Sequence, residues 1–166
     1  MAVAVFKTDD IIGEAVATLE QKGSQRGCRL RAAFTKLPPG NHGFHIHVSG
    51  DLRGEGCKGA CMHFHKGPPS DHGGAPGSAG PRHTGDLSNI SMNHGGKYSY
   101  FLPGVTPEEL WGRTLIVHDA EDDNGRGGDE ESKVTGNAGA RIGCAIFGRM
   151  ASCSKKKTRK HPKGRT

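Results

Sequence analysis

Short hydrophobic runs that alternate with polar residues follow one another along the chain and are separated by Gly, Pro, Asn and Asp. Such runs are typical of β-strands joined by turns and loops, and no long segment repeats at helical spacing. The pattern predicts about eight strands, over Val3–Lys7, Ala15–Glu20, Cys28–Lys36, His42–Val48, Leu87–Met92, Lys97–Phe101, Arg113–His118 and Arg141–Met150. The sequence therefore predicts an all-β fold.

Two connections are much longer than the others: Ser49–Asp86 and Asp119–Ala140. Loops of this length inside a compact domain usually have a function. Both are polar and rich in glycine, so we expect bound metal ions to hold them in place of apolar packing. The short turn Asn93-His-Gly-Gly96 predicts a hairpin between the fifth and sixth strands.

Six histidines and one aspartate stand out as candidate metal ligands. His45 and His47 are two positions apart on a predicted strand, where alternate side chains share a face, so both can bind one metal ion. Imidazole suits copper and zinc, and three nitrogens with one carboxylate make the tetrahedral set of a closed zinc site. The seven residues are His45, His47, His63, His72, His83, Asp86 and His118.

Two four-ligand sites need eight contacts from these seven residues, unless one imidazole uses both ring nitrogens. His63 is the candidate bridge. With metal–nitrogen bonds of about 2.0–2.1 Å on either side of one ring, the two ions would lie roughly 6 Å apart.

Six sequence motifs together match those of one known protein family, and their order and spacing make a chance match very unlikely. They are Gly43-Phe-His-Ile-His47, Cys57 with His63-Phe64, His72-Gly-Gly74, Arg82-His-Thr-Gly-Asp-Leu87, Gly112-Arg-Thr-Leu-Ile-Val-His118 and Gly136-Asn-Ala-Gly-Ala-Arg-Ile-Gly-Cys144. From about Val3 to Met150 the chain resembles the copper/zinc superoxide dismutases. The resemblance implies an eight-stranded antiparallel Greek-key β-barrel, or flattened sandwich, with two long functional loops.

The resemblance also implies a function: superoxide is converted to dioxygen and hydrogen peroxide at a copper ion that is reduced and reoxidised in turn. Copper would be held by His45, His47, His63 and His118, and a structural zinc by His63, His72, His83 and Asp86. His63 would part from copper on reduction and take up a proton. His42 matches a family histidine that packs without binding metal.

Further roles follow from the same resemblance. Asp122, with Asp123 as the alternative, would tie a copper histidine to a zinc histidine, and Cys57 and Cys144 would form a disulfide. Arg141 would receive the anion. Thr135 would line the channel, and Glu130, Glu131 and Lys133 would steer the substrate. Two departures stand out: Met62-His-Phe-His-Lys66 replaces the usual Gly-Pro-His-Phe-Asn-Pro, and Val134 stands where a family lysine is common.

We expect one domain over residues 1–153 and a basic tail over 154–166. The formal net charge of +6 comes from the tail, whose seven Lys and Arg leave 16 basic against 17 acidic residues elsewhere. The tail is either a solubilising end or an arm for polyanions or nuclear import. With no signal peptide or membrane segment apparent, we expect a cytoplasmic protein, with the nucleus left open by the tail. Cys28, Cys61, Cys153 and His65 receive no role.

Relatives in eukaryotes commonly pair, so we expect a homodimer, although Ser49, Trp111 and Arg149 depart from the usual contact residues. A copper chaperone is a further expected partner. The main alternative is a dismutase-like protein without turnover, either a chaperone or a decoy. Such proteins usually lack a copper histidine or the arginine, and this chain has both. A cupin-like oxygenase would need a glutamate shortly after His-x-His, where this chain has Asp51 and Leu52.

Overall fold

The computed structural model describes residues 1–53 and 55–152; Cys153 and the predicted basic tail from Ser154 lie outside these residues. Within them, no helix has the length and apolar character needed to cross a membrane. The described strands are β1 (Ala2–Lys7), β2 (Ile12–Lys22), β3 (Gln25–Lys36), β4 (His42–His47), β5 (Asp86–Ile90), β6 (Lys97–Pro103), β7 (Thr114–His118), β8 (Arg141–Ile146) and β9 (Gly148–Arg149). Two short helices, α1 (Pro107–Leu110) and α2 (Glu130–Thr135), lie in connections that the sequence pattern assigned to loops.

The strands form two antiparallel sheets, with spatial orders β6-β3-β2-β1-β9 and β5-β4-β7-β8. The chain runs through β1, β2 and β3 as a meander, crosses to the second sheet for β4 and β5, and returns to place β6 beside β3. It then crosses again for β7 and β8. This arrangement confirms the all-β Greek-key sandwich that the sequence predicts.

Two strand predictions were wrong in detail. β5 and β6 do not form a hairpin, because the left-handed conformations of Gly95 and Gly96 turn the chain into the other sheet, where Lys97 pairs with Ala33. The predicted last strand is divided at Phe147, whose backbone bonds to the loop before β7. The two residues after it pair with β1 instead, which joins the two sheets at one edge.

The inner faces of both sheets form the core. Phe6, Phe34 and Phe44 are buried, and their ring centroids lie 5.5 and 5.7 Å apart in succession. β4 is buried along its whole length, although its side chains alternate between faces. Phe44 and Ile46 enter the core. The alternate residues therefore point outwards, and they are buried because the two long loops cover that face.

Candidate metal centre

The first group of candidate ligands lies on the outer face of the four-stranded sheet. His45 pairs with Ile116 across β4 and β7, so His118, two residues further along β7, shares the face of Ile116 and His45. His63 is brought alongside by an isolated bridge to His47. One ligand atom from each of His45, His47, His63 and His118 lies within 4.8 Å of the others. The structure thus brings together all four residues predicted to hold copper.

The second group shares His63 and continues into the first long loop. Asp86 Oδ1 lies 2.8 Å from His63 Nδ1, 3.0 Å from His72 Nδ1 and 3.3 Å from His83 Nδ1. Asp86 opens β5, where the pairing with β4 shifts between Gly43 and His45 and sets Asp86 opposite His45. The two groups are therefore adjacent, and His63 belongs to both, as the ligand count from sequence requires.

Six imidazole nitrogens in these groups are buried and have no hydrogen-bond partner within residues 1–53 and 55–152. A buried polar atom without a partner costs about 1–3 kcal/mol, so six together are an unusual burden for a native fold. The atoms are His45 Nδ1, His47 Nε2, His63 Nε2, His72 Nδ1, His83 Nδ1 and His118 Nε2. Nitrogen ligands that face one another in two clusters fit copper in the first and zinc, with the Asp86 carboxylate, in the second.

In most of these rings, the second nitrogen, which does not face the candidate metal position, forms a hydrogen bond that fixes the orientation of the ring. His47 Nδ1 donates to the Cys61 carbonyl oxygen at 2.8 Å, and His118 Nδ1 donates to the Gly139 carbonyl oxygen at 3.1 Å. Because a carbonyl only accepts, each ring must carry its proton on Nδ1. The lone pair is then on Nε2, where a metal ion can use it.

Asp122 connects the two groups. Its carboxylate accepts from His45 Nε2 and from His72 Nε2, each at 2.8 Å. The side-chain amide of Asn89 donates to the Asp122 carbonyl oxygen and accepts from Asp122 N. No sequence signal indicated this contact. Gly136, at φ +70°, leaves room for this link, since a Cβ there would collide with Asp122 and His72. Asp123, the alternative, instead accepts from Ser132 and Asn137.

The surroundings set the charge of these groups. Burial lowers the pKa of His45 to about 3, with the nearby His63 acting in the same direction, and burial lowers that of His118 to about 4. These rings are therefore neutral and available to a cation. Burial acts in the same direction on His72, but the Asp122 carboxylate, which is bonded to Nε2, and the Asp86 carboxylate, 3.0 Å from Nδ1, outweigh it and raise the pKa of His72 to about 9. The second group thus attracts positive charge.

A cleft of about 390 Å³ leads from the surface to the first group. Arg141 stands on its wall, and its guanidinium donates to the carbonyl oxygens of Cys57, Lys58 and Cys61 at 2.8, 3.0 and 2.5 Å. The residues that line the cleft are His47, Met62, His63, His118, Glu131, Thr135, Asn137, Gly139 and Arg141.

The remaining predicted residues divide between the cleft and its surroundings. Thr135 and Glu131 line the cleft, and the threonine hydroxyl donates to the glutamate. Glu130 and Lys133 form a pair at 2.9 Å and are not among the lining residues. Met62, Asn137 and Gly139 were missed by the sequence reasoning. Met62 directly precedes the predicted bridge His63, and Asn137 and Gly139 lie in the Gly136–Cys144 motif, but none of the three was given a role.

The predicted disulfide is confirmed: Cys57 is bonded to Cys144, across 87 residues of sequence. It fastens the first long loop to β8, next to Arg141. Ile116 and Ala60 pack around it as a small second core. Within the described residues, Cys28 is a buried and Cys61 an exposed free thiol.

Comparisons with known proteins agree with this geometry. The family described as copper/zinc superoxide dismutase (SODC) matches residues 12–147. Superoxide dismutase [Cu-Zn] 5 of Dictyostelium discoideum is 36% identical over 88% of this chain and 95% of its own length. Superoxide dismutase [Cu-Zn] A of Xenopus laevis is 43% identical over 68% of this chain and 74% of its own. The chain therefore belongs to the copper/zinc superoxide dismutase family.

Two further similarities bear on the range of functions within this fold. The copper chaperone for superoxide dismutase of Mus musculus is 37% identical over 84% of this chain, which spans only 54% of that protein. The solved structure of the clock protein EA4 superposes with a TM-score of 0.72 at 34% identity and covers 89% of this chain and 92% of its own. Similarity of fold does not by itself decide activity, which depends on the site.

Proposed function

We propose that this chain is an active superoxide dismutase that binds one copper and one zinc ion. The observation that carries the proposal is a single cleft in which three buried imidazole nitrogens without hydrogen-bond partners in the described part of the chain meet a fixed arginine. The chemistry that a bound copper ion supplies is a one-electron couple, by which two superoxide anions and two protons become dioxygen and hydrogen peroxide.

Arg141 binds and orients the anion. Three carbonyl oxygens hold its guanidinium, which has five N–H donors, so donors remain that can face the cleft. Arginine stays charged at any ordinary pH, and its planar donors can fix the direction of a small anion. Thr135 lies in the same cleft and narrows it. A charged donor and a polar side chain on the wall of one cleft suit a small anion.

His63 is the residue that can hold a proton at the reacting centre. Its Nδ1 faces Asp86 and the zinc group, while its Nε2 faces the cleft. Burial lowers the pKa of His63, which disfavours a second proton on the ring. A proton bound at Nε2 is therefore easily released to a reduced substrate in the cleft.

The test is a direct measurement of superoxide consumption by the purified protein, with copper and zinc per chain determined on the same sample. Fast turnover with one copper and one zinc per chain supports the proposal. Both metals without turnover would reject it in favour of a metal-binding protein.

The second candidate function is copper transfer, which the similarity to the mouse copper chaperone favours. A chaperone would lose its copper to a copper-free partner enzyme within the time of the assay. Retention of copper by this chain, together with turnover, would reject this alternative.

We also propose that two copies of the chain form a homodimer. Val48, Trp111 and Ile146 are large apolar side chains of which about two fifths is exposed, at 39%, 39% and 41%. The Arg149 guanidinium lies 5.8 Å from the centre of the Trp111 ring, which gives its charge an aromatic partner. Sedimentation at micromolar concentration should give a dimer for the wild type and a monomer for Trp111→Lys. A monomeric wild type would reject the proposal.

A further inference from the structure

Met62 places a thioether at the mouth of the cleft. Its side chain is 57% exposed, yet it lines the same cleft as His47, His63 and His118. Single exposed apolar residues are common and need no explanation by themselves. The position of Met62 is unusual because the buried nitrogens His47 Nε2, His63 Nε2 and His118 Nε2 lie further inside the same cleft.

The backbone around Met62 is fixed to β4 and to Val48, the residue that follows it. The Met62 carbonyl oxygen accepts from Val48 N at 3.0 Å, and the preceding carbonyl, that of Cys61, accepts from His47 Nδ1. On the other side His63 is bridged to His47. The thioether is therefore held at this place while its three rotatable bonds leave the sulfur free to move.

A thioether selects among metal ions. Soft sulfur ligands favour Cu(I), whereas carboxylate, carbonyl and water favour Mg²⁺, Ca²⁺ and Mn²⁺. A thioether also has no proton to lose, while an imidazole or thiol must be deprotonated before it binds a metal. Methionine at this position thus offers Cu(I) a neutral, soft ligand before the ion reaches the nitrogens inside.

We propose that the Met62 sulfur is a docking site that binds Cu(I) first and passes it to the nitrogens of His47 and His118, which lie further inside the cleft. The transfer is a ligand exchange: sulfur leaves as nitrogen binds, and copper remains Cu(I) throughout. The inference rests on the proposed function only in taking copper as the metal of the first group.

The experiment measures copper uptake by the full chain loaded with zinc but not with copper. Cu(I) is presented as a coloured complex with a bidentate chelator, without oxygen and with ascorbate as reductant, so that the Cys57–Cys144 disulfide is kept. Loss of colour gives the rate of uptake. The variants are Met62→Leu, which keeps an apolar side chain of similar size, the matched control Met92→Leu at a methionine that is 38% exposed, and Cys61→Ser.

We expect Met62→Leu to take up Cu(I) about tenfold more slowly, equivalent to ~1.4 kcal/mol. Met92→Leu and Cys61→Ser should match the wild type. X-ray absorption of wild-type samples frozen during uptake should show a sulfur neighbour of copper that Met62→Leu lacks. Wild-type uptake by Met62→Leu would overturn the proposal, and so would an equal loss in Cys61→Ser, which would assign the sulfur to the thiol. Since turnover is not measured, an inactive enzyme would count against the proposed function alone.

Discussion

Replacing Asp122 by asparagine tests the link between the two metal groups. The two carboxylate oxygens are not equivalent: among the described residues, Oδ1 accepts from His72 Nε2 and from Asn124 N, whereas Oδ2 accepts from His45 Nε2 alone. An asparagine can keep one oxygen, and it should keep the one with two donors. Its NH₂ group would then face His45 Nε2, donor against donor.

The expected loss is therefore on the copper side. His45 can avoid the clash by moving its proton to Nδ1, but Nδ1 is the buried nitrogen without a partner in the described part of the chain that would bind copper. Either the clash or the changed tautomer costs about 1–3 kcal/mol. At ~1.4 kcal/mol per factor of ten, copper affinity should fall roughly 5- to 150-fold. Zinc affinity should change much less, because the bond from His72 is kept.

The assay is a competition of Asp122→Asn with chelators of known affinity, one for copper and one for zinc. The control is Glu121→Gln, which removes the same charge from the exposed neighbouring residue and should change neither affinity. Equal copper affinity in Asp122→Asn and the wild type would refute the role of Asp122. A larger loss of zinc than of copper would refute the assignment of the two oxygens.

Three further predictions concern the anion, the disulfide and pH. Arg141→Ile should keep both metals but slow turnover by about tenfold or more at low salt; an unchanged rate would contradict the role of the guanidinium. Cys57→Ser should lower the free energy of unfolding by on the order of 4–5 kcal/mol in the chain-entropy model, measured by urea unfolding under oxidising conditions, and an unchanged midpoint would count against it. The metal-free protein should lose stability as pH falls from 6.5 towards about 4, because unfolding lets His118 bind the proton that burial denies it. His72 acts in the opposite direction: because its pKa is raised, the stability that it contributes is present below pH 6.5 and is lost as pH rises from 6.5 to about 9. A melting temperature that rises as pH falls from 6.5 to 4.5 would contradict the effect of His118.

The candidate site could largely be predicted from the sequence, and local geometry explains why. Two histidines at alternate positions of a strand share a face wherever that strand lies, so His45 and His47 needed no tertiary information. The count of seven ligands for two sites already required one shared histidine, and the resemblance to the family implied that it is His63. The motifs around these residues identified the family, and with it the partners Cys57 and Cys144, which no local pattern could have joined across 87 residues.

Other features depended on the tertiary structure. The turn at Asn93–Gly96 suits a hairpin by its composition, but which sheet the next strand joins depends on the edge that β3 leaves free. The sequence identified Lys133 and Glu131 equally as steering residues, yet the structure places only Glu131 in the cleft and pairs Lys133 with Glu130. Met62 was visible only as a departure from the family pattern.

The sequence by itself determined the strand class, the candidate ligands and the family, because these depend on residue type and on spacing along the chain. Only the tertiary structure decided which oxygen of Asp122 serves which histidine, which carbonyls hold Arg141 and what lines the cleft. Those contacts join residues from separate loops, and their directions are set by the packing of two sheets and a disulfide. No local pattern in the sequence encodes such directions.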